Sequence, residues 1–149
     1  MISQRLEELG IELPEVAAPV AAYIPAKRTG NEVRTSGQLP FINGALPAAG
    51  KVGADVSQDE AQALARQCAL NALAAAAAVV DLDEIHGVTH VTGFVASAPE
   101  FTGQPGVVNG ASEVLGEIFG QAGAHTRSAV GVAVLPLDAP VEVEVTFAL

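Results

Sequence analysis

An α+β or α/β sandwich, with helices laid on one face of a sheet, is the fold class this sequence predicts. Three observations carry it. Strand-like and helix-like patterns follow one another in the order strands, helix, strand, helix, strands. The chain has 149 residues, which suits one domain. Half of its residues are hydrophobic and 16% are charged, so a real core can form and disorder is not expected. Aromatic residues make up only 4%. Ala and Val must therefore fill the core, and packing that thin leaves surface to bury against other subunits.

Residues 1–9 read as a short helix, broken by Gly10 and Pro14. The stretch PVAAYIPAKRTGNEVRTSGQLP (19–40) reads as two extended segments around the turn at Thr29–Gly30–Asn31. Gly44 and Gly50 flank an irregular stretch expected to hold a second short hairpin. Ser57 and Glu60 then form an S-x-x-E capping box. The helix that follows runs to about Val80, with Leu64, Cys68 and Ala75 on one stripe beside Ala61, Ala65 and Ala72. The alanine block at 74–78 has high helix propensity and lets that helix lie close to a sheet. EIHGVTHVTGFVAS (84–97) reads as a strand. Pro105 opens a second helix, where its missing N–H costs nothing. Val107, Val108, Ala111, Val114, Leu115, Ile118 and Phe119 give that helix an apolar face, and Gly120 and Gly123 are its candidate stops. Two strands, Ser128–Leu135 and Val141–Leu149, close the chain around the turn PLDAP.

Alternation in these last strands divides their residues between two faces. In the final one, Val141, Val143, Val145, Phe147 and Leu149 oppose Glu142, Glu144 and Thr146. In the one before, Val130, Val132 and Val134 oppose Arg127, Ala129, Gly131 and Ala133. The valine faces are expected to meet the helices, leaving a small, mildly polar face for a ligand or another subunit.

The net charge of −10 and seven scattered basic residues argue against a nucleic-acid surface. Cys68 is the only cysteine and reads as a buried, inert thiol, so no intrachain disulfide is expected. The N-terminus is acidic and lacks the apolar stretch of a signal peptide. LNALAAAAAVV is too short to cross a bilayer. A soluble, intracellular protein without a membrane partner is expected.

Arg127 has two readings. Its planar fork suits a carboxylate, but from spacing alone a surface arginine in a salt bridge is the reading to expect first. Glu142 could place or deprotonate a water, or simply face solvent. If the last two strands form a simple hairpin, Glu142 lies near Val134 and Arg127 near Leu149, about 23 Å apart along the strands. One small ligand could then touch both only if a neighbouring chain supplied Glu142. His86, His90 and His125 lack cysteine companions and H-E-x-x-H spacing, so no metal is expected. His86 and His90 would lie about 13 Å apart along one strand face. Neither a G-x-S-x-G nucleophile elbow nor a phosphate loop is present.

TSGQLP (35–40), VVNGAS (107–112) and RSAVGVAVLPLDAPVEVEV (127–145) resemble the RidA, or YjgF-like, family, with elements in matching order over nearly the whole chain. The R-S-x-V-x-V-x-x-L-P run followed by V-E-V-E is the most specific part. The extended segment at 19–40 and KVGADVS (51–57) resemble a longer, less characterised branch. The resemblance implies one chorismate-mutase-like α+β domain over 1–149, residues 1–14 being an N-terminal extension. It implies a mixed sheet of about six strands with two helices on one face, and a cytoplasmic homotrimer with clefts between subunits. It also implies cofactor-free hydrolysis of reactive imines and enamines, such as 2-aminoacrylate, to a 2-keto acid and ammonia. By the same resemblance Arg127 matches the arginine that binds the substrate carboxylate, and Glu142 the glutamate that places the water. Tyr23 and Asn109 match cleft-lining residues, and Ser36 a residue near the cleft. Ala129 stands where the family commonly has cysteine, although its backbone N–H and C=O could still polarise substrate or hold water. Two other functions compete: a non-catalytic keto-acid binding or sensing protein, and the ribonuclease named for some relatives.

Overall fold

The computed structural model describes residues 1–16 and 22–149. The start of the first expected extended segment, residues 19–21, lies outside them. Among the described residues three α-helices and five strands follow the chain: α1 (Ile2–Leu9), β1 (Ala26–Thr29), β2 (Glu32–Thr35), α2 (Gln58–Ala77), β3 (Gly87–Ala96), α3 (Gln104–Phe119), β4 (Thr126–Val132) and β5 (Val141–Ala148). The fold is α+β, with α2 and α3 packed on one face of a mixed sheet.

Local sequence explains the elements. Gly30, at φ 60°, lets a two-residue turn join β1 to β2, with Thr29 opposite Glu32. The Ser57 side chain accepts from the Glu60 N–H at 3.1 Å and so caps α2. Pro105 sits in the first turn of α3, and Gly120 ends it at φ 62°. The first helix has no capping side chain of its own. Asp83 supplies the cap from a distant turn, accepting from Ser3 N at 2.9 Å and Ser3 Oγ at 2.7 Å. Ile2 and Leu6 of α1 join the core.

The sheet order is β1-β2-β5-β3-β4, five strands rather than about six. The expected second hairpin does not form. Between β2 and α2 the chain makes only isolated bridges, Ile42 to Ala45 and Val52 to Val56 among them. Pro40 and Pro47 remove ladder donors there, and Gly44, Gly50 and Gly53 turn the chain at positive φ.

The closing hairpin is also corrected. β5 lies between β2 and β3, antiparallel to both, while β4 runs parallel to β3 on its other side. A parallel neighbour needs a crossover, and α3 provides it between β3 and β4. The PLDAP turn therefore carries the chain across β3 instead of folding β5 back on β4.

Phe147, Val141, Val143 and Val145 are fully buried or nearly so, under α2, while α3 covers β3 and β4. Close approach makes a core with few aromatics workable. A side chain at Gly110 would overlap the carbonyl oxygen of Gln62, so glycine lets α3 press on the α2 backbone. A Cβ at Gly93 would stand 2.7 Å from Val108 Cγ1, so glycine also lets α3 seat on β3. The burial of Phe147 beside Phe119, their ring centroids 6.0 Å apart, closes one end of the core.

Candidate functional site

The valines of β4 do not meet the helices. Arg127 pairs in register with Val91, and Ala129 with Gly93, both on the covered face of β3. Val130 pairs with Phe94 on the uncovered face and is 43% exposed. Parity grouped these residues correctly but assigned the wrong group to the helices. At this edge the helix-facing positions are Arg127, Ala129 and Gly131, and the small size of the last two lets α3 and its first residue approach. A Cβ at Gly131 would come within 2.8 Å of Gln104 Nε2.

The half-buried Arg127 side chain lies against α3. Its Nη1 donates to Asn109 Oδ1 at 2.8 Å and to Ser112 Oγ at 3.2 Å, and Nη2 donates to the Pro105 carbonyl at 3.3 Å. All three acceptors are neutral. Among the described residues no carboxylate pairs with it, so the salt-bridge reading does not hold there. A guanidinium carries five N–H donors, and these bonds leave two uncommitted. The cation is thus held in place without being neutralised.

Ala129 sits two residues along the same face. In a strand the N–H and C=O of one residue point to one side, and the side alternates. Val132 directs its carbonyl inward to Ser97 N at 3.0 Å. By alternation, the backbone groups of Arg127, Ala129 and Gly131 point to the free edge of β4. Hydrogen-bond donors and acceptors therefore line the edge beside the arginine.

Glu142 is elsewhere. It pairs with Phe94, on the sheet face that α2 and α3 leave uncovered. Its carboxylate rests against Gly37, where any side chain would overlap it. Burial pushes its carboxyl above the usual carboxylate range, and Glu144, two residues on, adds to the shift. Glu144 also contacts Arg34 at 3.5 Å. Ser36 adjoins this group and donates to the Ile24 carbonyl at 2.6 Å, tying down the segment that carries the exposed Tyr23.

The candidate residues thus form two clusters. Arg127, Asn109 and Ala129 lie on the helix side at β4. Glu142, Ser36 and Tyr23 gather near the junction of β2 and β5. The register puts Arg127 and Glu142 about 10 Å apart along the strands and about 10 Å across them, not 23 Å along a hairpin. They nevertheless emerge on opposite faces, with the sheet between them.

Two residues of the arginine cluster escaped the sequence reading. Ser112 holds Arg127, and His125 Nε2 lies 2.9 Å from Ser112 Oγ. The signal was present in the spacing. Asn109 and Ser112 are three apart on one helix face, and His125 and Arg127 are two apart with one strand parity. In the sequence His125 stands out only as a possible metal ligand. Among the described residues no group of three His, Cys, Asp or Glu could hold a metal. Cys68 is buried under the sheet, which pushes its thiol well above its usual range. No helix of the described residues is long and apolar enough to cross a membrane.

Comparison with known proteins agrees with this architecture. Residues 3–148 match a family model described as "YjgF/chorismate mutase-like, putative endoribonuclease". The chain is 42% identical over 145 residues to Protein TCP17 of Trypanosoma cruzi, covering 96% of this chain and 91% of that one. Atu1372, a protein with unknown function from Agrobacterium tumefaciens, is 43% identical with a TM-score of 0.90, covering 99% of this chain and 92% of that one. A "putative endoribonuclease" from Shewanella oneidensis is 35% identical with a TM-score of 0.95, covering 100% and 99%.

Proposed function

The chain belongs to the YjgF/chorismate mutase-like (RidA) family, and on that premise we propose that it is a cytoplasmic, cofactor-free deaminase of 2-imino and 2-enamino acids. The observation that carries this reading is Arg127, oriented by three neutral oxygens and left with unspent N–H donors beside an open strand edge. Such a group is prepared for a carboxylate.

Substrate binds by its carboxylate to the two uncommitted N–H groups of Arg127. The free edge at Ala129 receives the imine nitrogen or the incoming water. An iminium carbon is already electrophilic, so the reaction calls for no thiol, and alanine serves where relatives have cysteine. Water adds to that carbon and loses a proton, which gives a carbinolamine. A proton then passes to the nitrogen, the C–N bond breaks to release ammonia, and the former water oxygen gives up its remaining proton to become the keto group. Glu142 is the group that accepts the water's proton, and its raised pKa makes it a better base than an ordinary carboxylate. Because Glu142 and Arg127 face opposite sides of their own sheet, the Glu142 serving each arginine must come from another copy. A homotrimer with Tyr23, Ser36 and Glu142 of one subunit facing Arg127, Asn109 and Ala129 of the next meets that need. The exposed Val130 and Val134 give the uncovered face apolar surface for such an association.

Replacing Arg127 by Ala should abolish the acceleration of ammonia release from a 2-imino acid generated in place by an amino-acid oxidase. An undiminished rate overturns the reading. The alanine at position 129 favours a second reading, a sensor that binds keto acids without turning over imines. Tight 2-ketobutyrate binding without any rate acceleration selects it. The net charge of −10 argues against the ribonuclease action named for some relatives.

A further inference from the structure

We propose that Ser112 and His125 are positioning residues, which hold the Arg127 guanidinium in one plane through a hydrogen-bond chain that ends on the backbone. The proposal rests on the reading of Arg127 as the carboxylate-binding group.

The chain can be traced atom by atom. His125 Nδ1 lies 2.6 Å from the Gly123 carbonyl. A carbonyl oxygen only accepts, so Nδ1 carries a proton. In the neutral ring Nε2 is then an acceptor, and its neighbour at 2.9 Å is the Ser112 hydroxyl. Ser112 has one hydrogen and spends it on His125. Its lone pairs therefore face the other way, toward Arg127 Nη1 at 3.2 Å. Donation runs in one direction: Arg127 to Ser112, Ser112 to His125, His125 to Gly123. Bonds aligned in this way reinforce one another.

Each link removes a freedom. A serine hydroxyl alone rotates and could offer Arg127 its hydrogen, which would repel an N–H donor. His125 fixes that rotor. The ring is itself fixed by Gly123, whose turn is pressed onto α3 so closely that a Cβ there would stand 2.7 Å from the Leu115 carbonyl oxygen. Asn109 Oδ1 takes a second hydrogen of Nη1 at 2.8 Å, and Pro105 O holds Nη2. The guanidinium is pinned at both terminal nitrogens, and its remaining two donors point in a set direction. A bidentate carboxylate contact depends on that direction.

Two readouts test this. The first is the rate of rotation of the Arg127 guanidinium, measured by NMR on protein labelled with 15N-arginine. The second is the split between KM and kcat for a 2-imino acid generated in place, with the Kd for 2-ketobutyrate measured beside it. Ser112→Ala and His125→Phe should speed guanidinium rotation and should raise KM and Kd about fivefold to tenfold, well beyond any fall in kcat. Ser112→Thr, which keeps the hydroxyl, should restore slow rotation and most of the affinity. Unchanged rotation and unchanged Kd in Ser112→Ala and His125→Phe, with Arg127→Ala still weakening 2-ketobutyrate, overturn the proposal and leave the deaminase reading standing. If Arg127→Ala affects neither rate nor Kd, the deaminase reading falls, and the rotation measurement still decides whether Ser112 and His125 order the arginine.

Discussion

Gly110 and Gly116 lie on the same helix six residues apart, and alanine should act on them in opposite directions. At Gly110 the new methyl would overlap the Gln62 carbonyl oxygen and stand 2.9 Å from its carbon and 3.2 Å from Arg66 N. These are backbone atoms of α2 and cannot rotate away. Relief requires the two helices to part by about 1 Å, and overpacking of that kind costs about 1–3 kcal/mol or more. Alanine's better helix propensity returns about 1 kcal/mol. A net loss of up to about 2 kcal/mol lowers Tm by up to about 4–8 °C for a chain of this size. At Gly116 a Cβ meets nothing within 4 Å. Gly116→Ala should therefore gain about 0.5–1 kcal/mol and raise Tm by a few degrees. The loss also reaches the site, because α3 carries Asn109 and Ser112. The Ser112 bond to Arg127 is already 3.2 Å long, and a shift of about 1 Å breaks it. Gly110→Ala should weaken 2-ketobutyrate binding as well as stability, while Gly116→Ala leaves binding intact. Thermal unfolding followed by circular dichroism, with calorimetric titration of 2-ketobutyrate, reads both effects. Equal Tm values for the two variants would refute the claim that α2 and α3 meet backbone to backbone at Gly110.

Arg127→Lys keeps the charge and loses the fork, so Kd for 2-ketobutyrate should rise about tenfold in calorimetry. An unchanged Kd would mean that charge alone binds the ligand. For Glu142 the folded protein holds the proton more tightly than the unfolded chain, since its pKa is raised by burial and then by Glu144. Its contribution to stability is therefore present at low pH and lost as pH rises through the folded pKa. Glu142→Gln should raise Tm at neutral pH, with the gain shrinking toward acid, and should lower kcat more than it weakens keto-acid binding. A Tm difference that does not change with pH would count against this. Asp83 shows the opposite sign, its carboxyl lowered by the bonds from Ser3. Its help in docking α1 is present above the usual carboxylate range and lost as pH falls through the folded pKa. Asp83→Asn should speed hydrogen exchange in the α1 amides, and equal exchange in both proteins would contradict the cap. Cys68 should react with iodoacetamide only on global unfolding, and rapid labelling of the native protein would contradict its burial.

Local signals made the elements legible. A capping box announces α2, a proline opens α3, and strict alternation marks β5, because each depends on residues within a turn or two of one another. The motifs around Arg127 and Glu142 also pointed to the family directly. Alternation in β4 was read correctly as grouping and wrongly as orientation. Val130, Val132 and Val134 look like a core face, yet β4 is an edge strand whose covered side holds Arg127, Ala129 and Gly131. Hydrophobicity ranks two faces only when both have equal access to a core. The partner of β5 was equally out of reach, since the short connection around PLDAP, eight residues between β4 and β5, can close a hairpin or span an intervening strand.

By itself, then, the amino-acid order determined where the main helices and the five strands form, the family, and which residues share a face, but not that the stretch between β2 and α2 stays irregular. Tertiary structure alone decided that β3 lies between the last two strands, that Arg127 faces α3 while Glu142 faces away, and that Ser112 and His125 join the arginine. The physical reason is range. Helix caps and strand parity arise from neighbours along the chain, whereas strand pairing and the covering of a face arise from contacts between residues far apart in sequence.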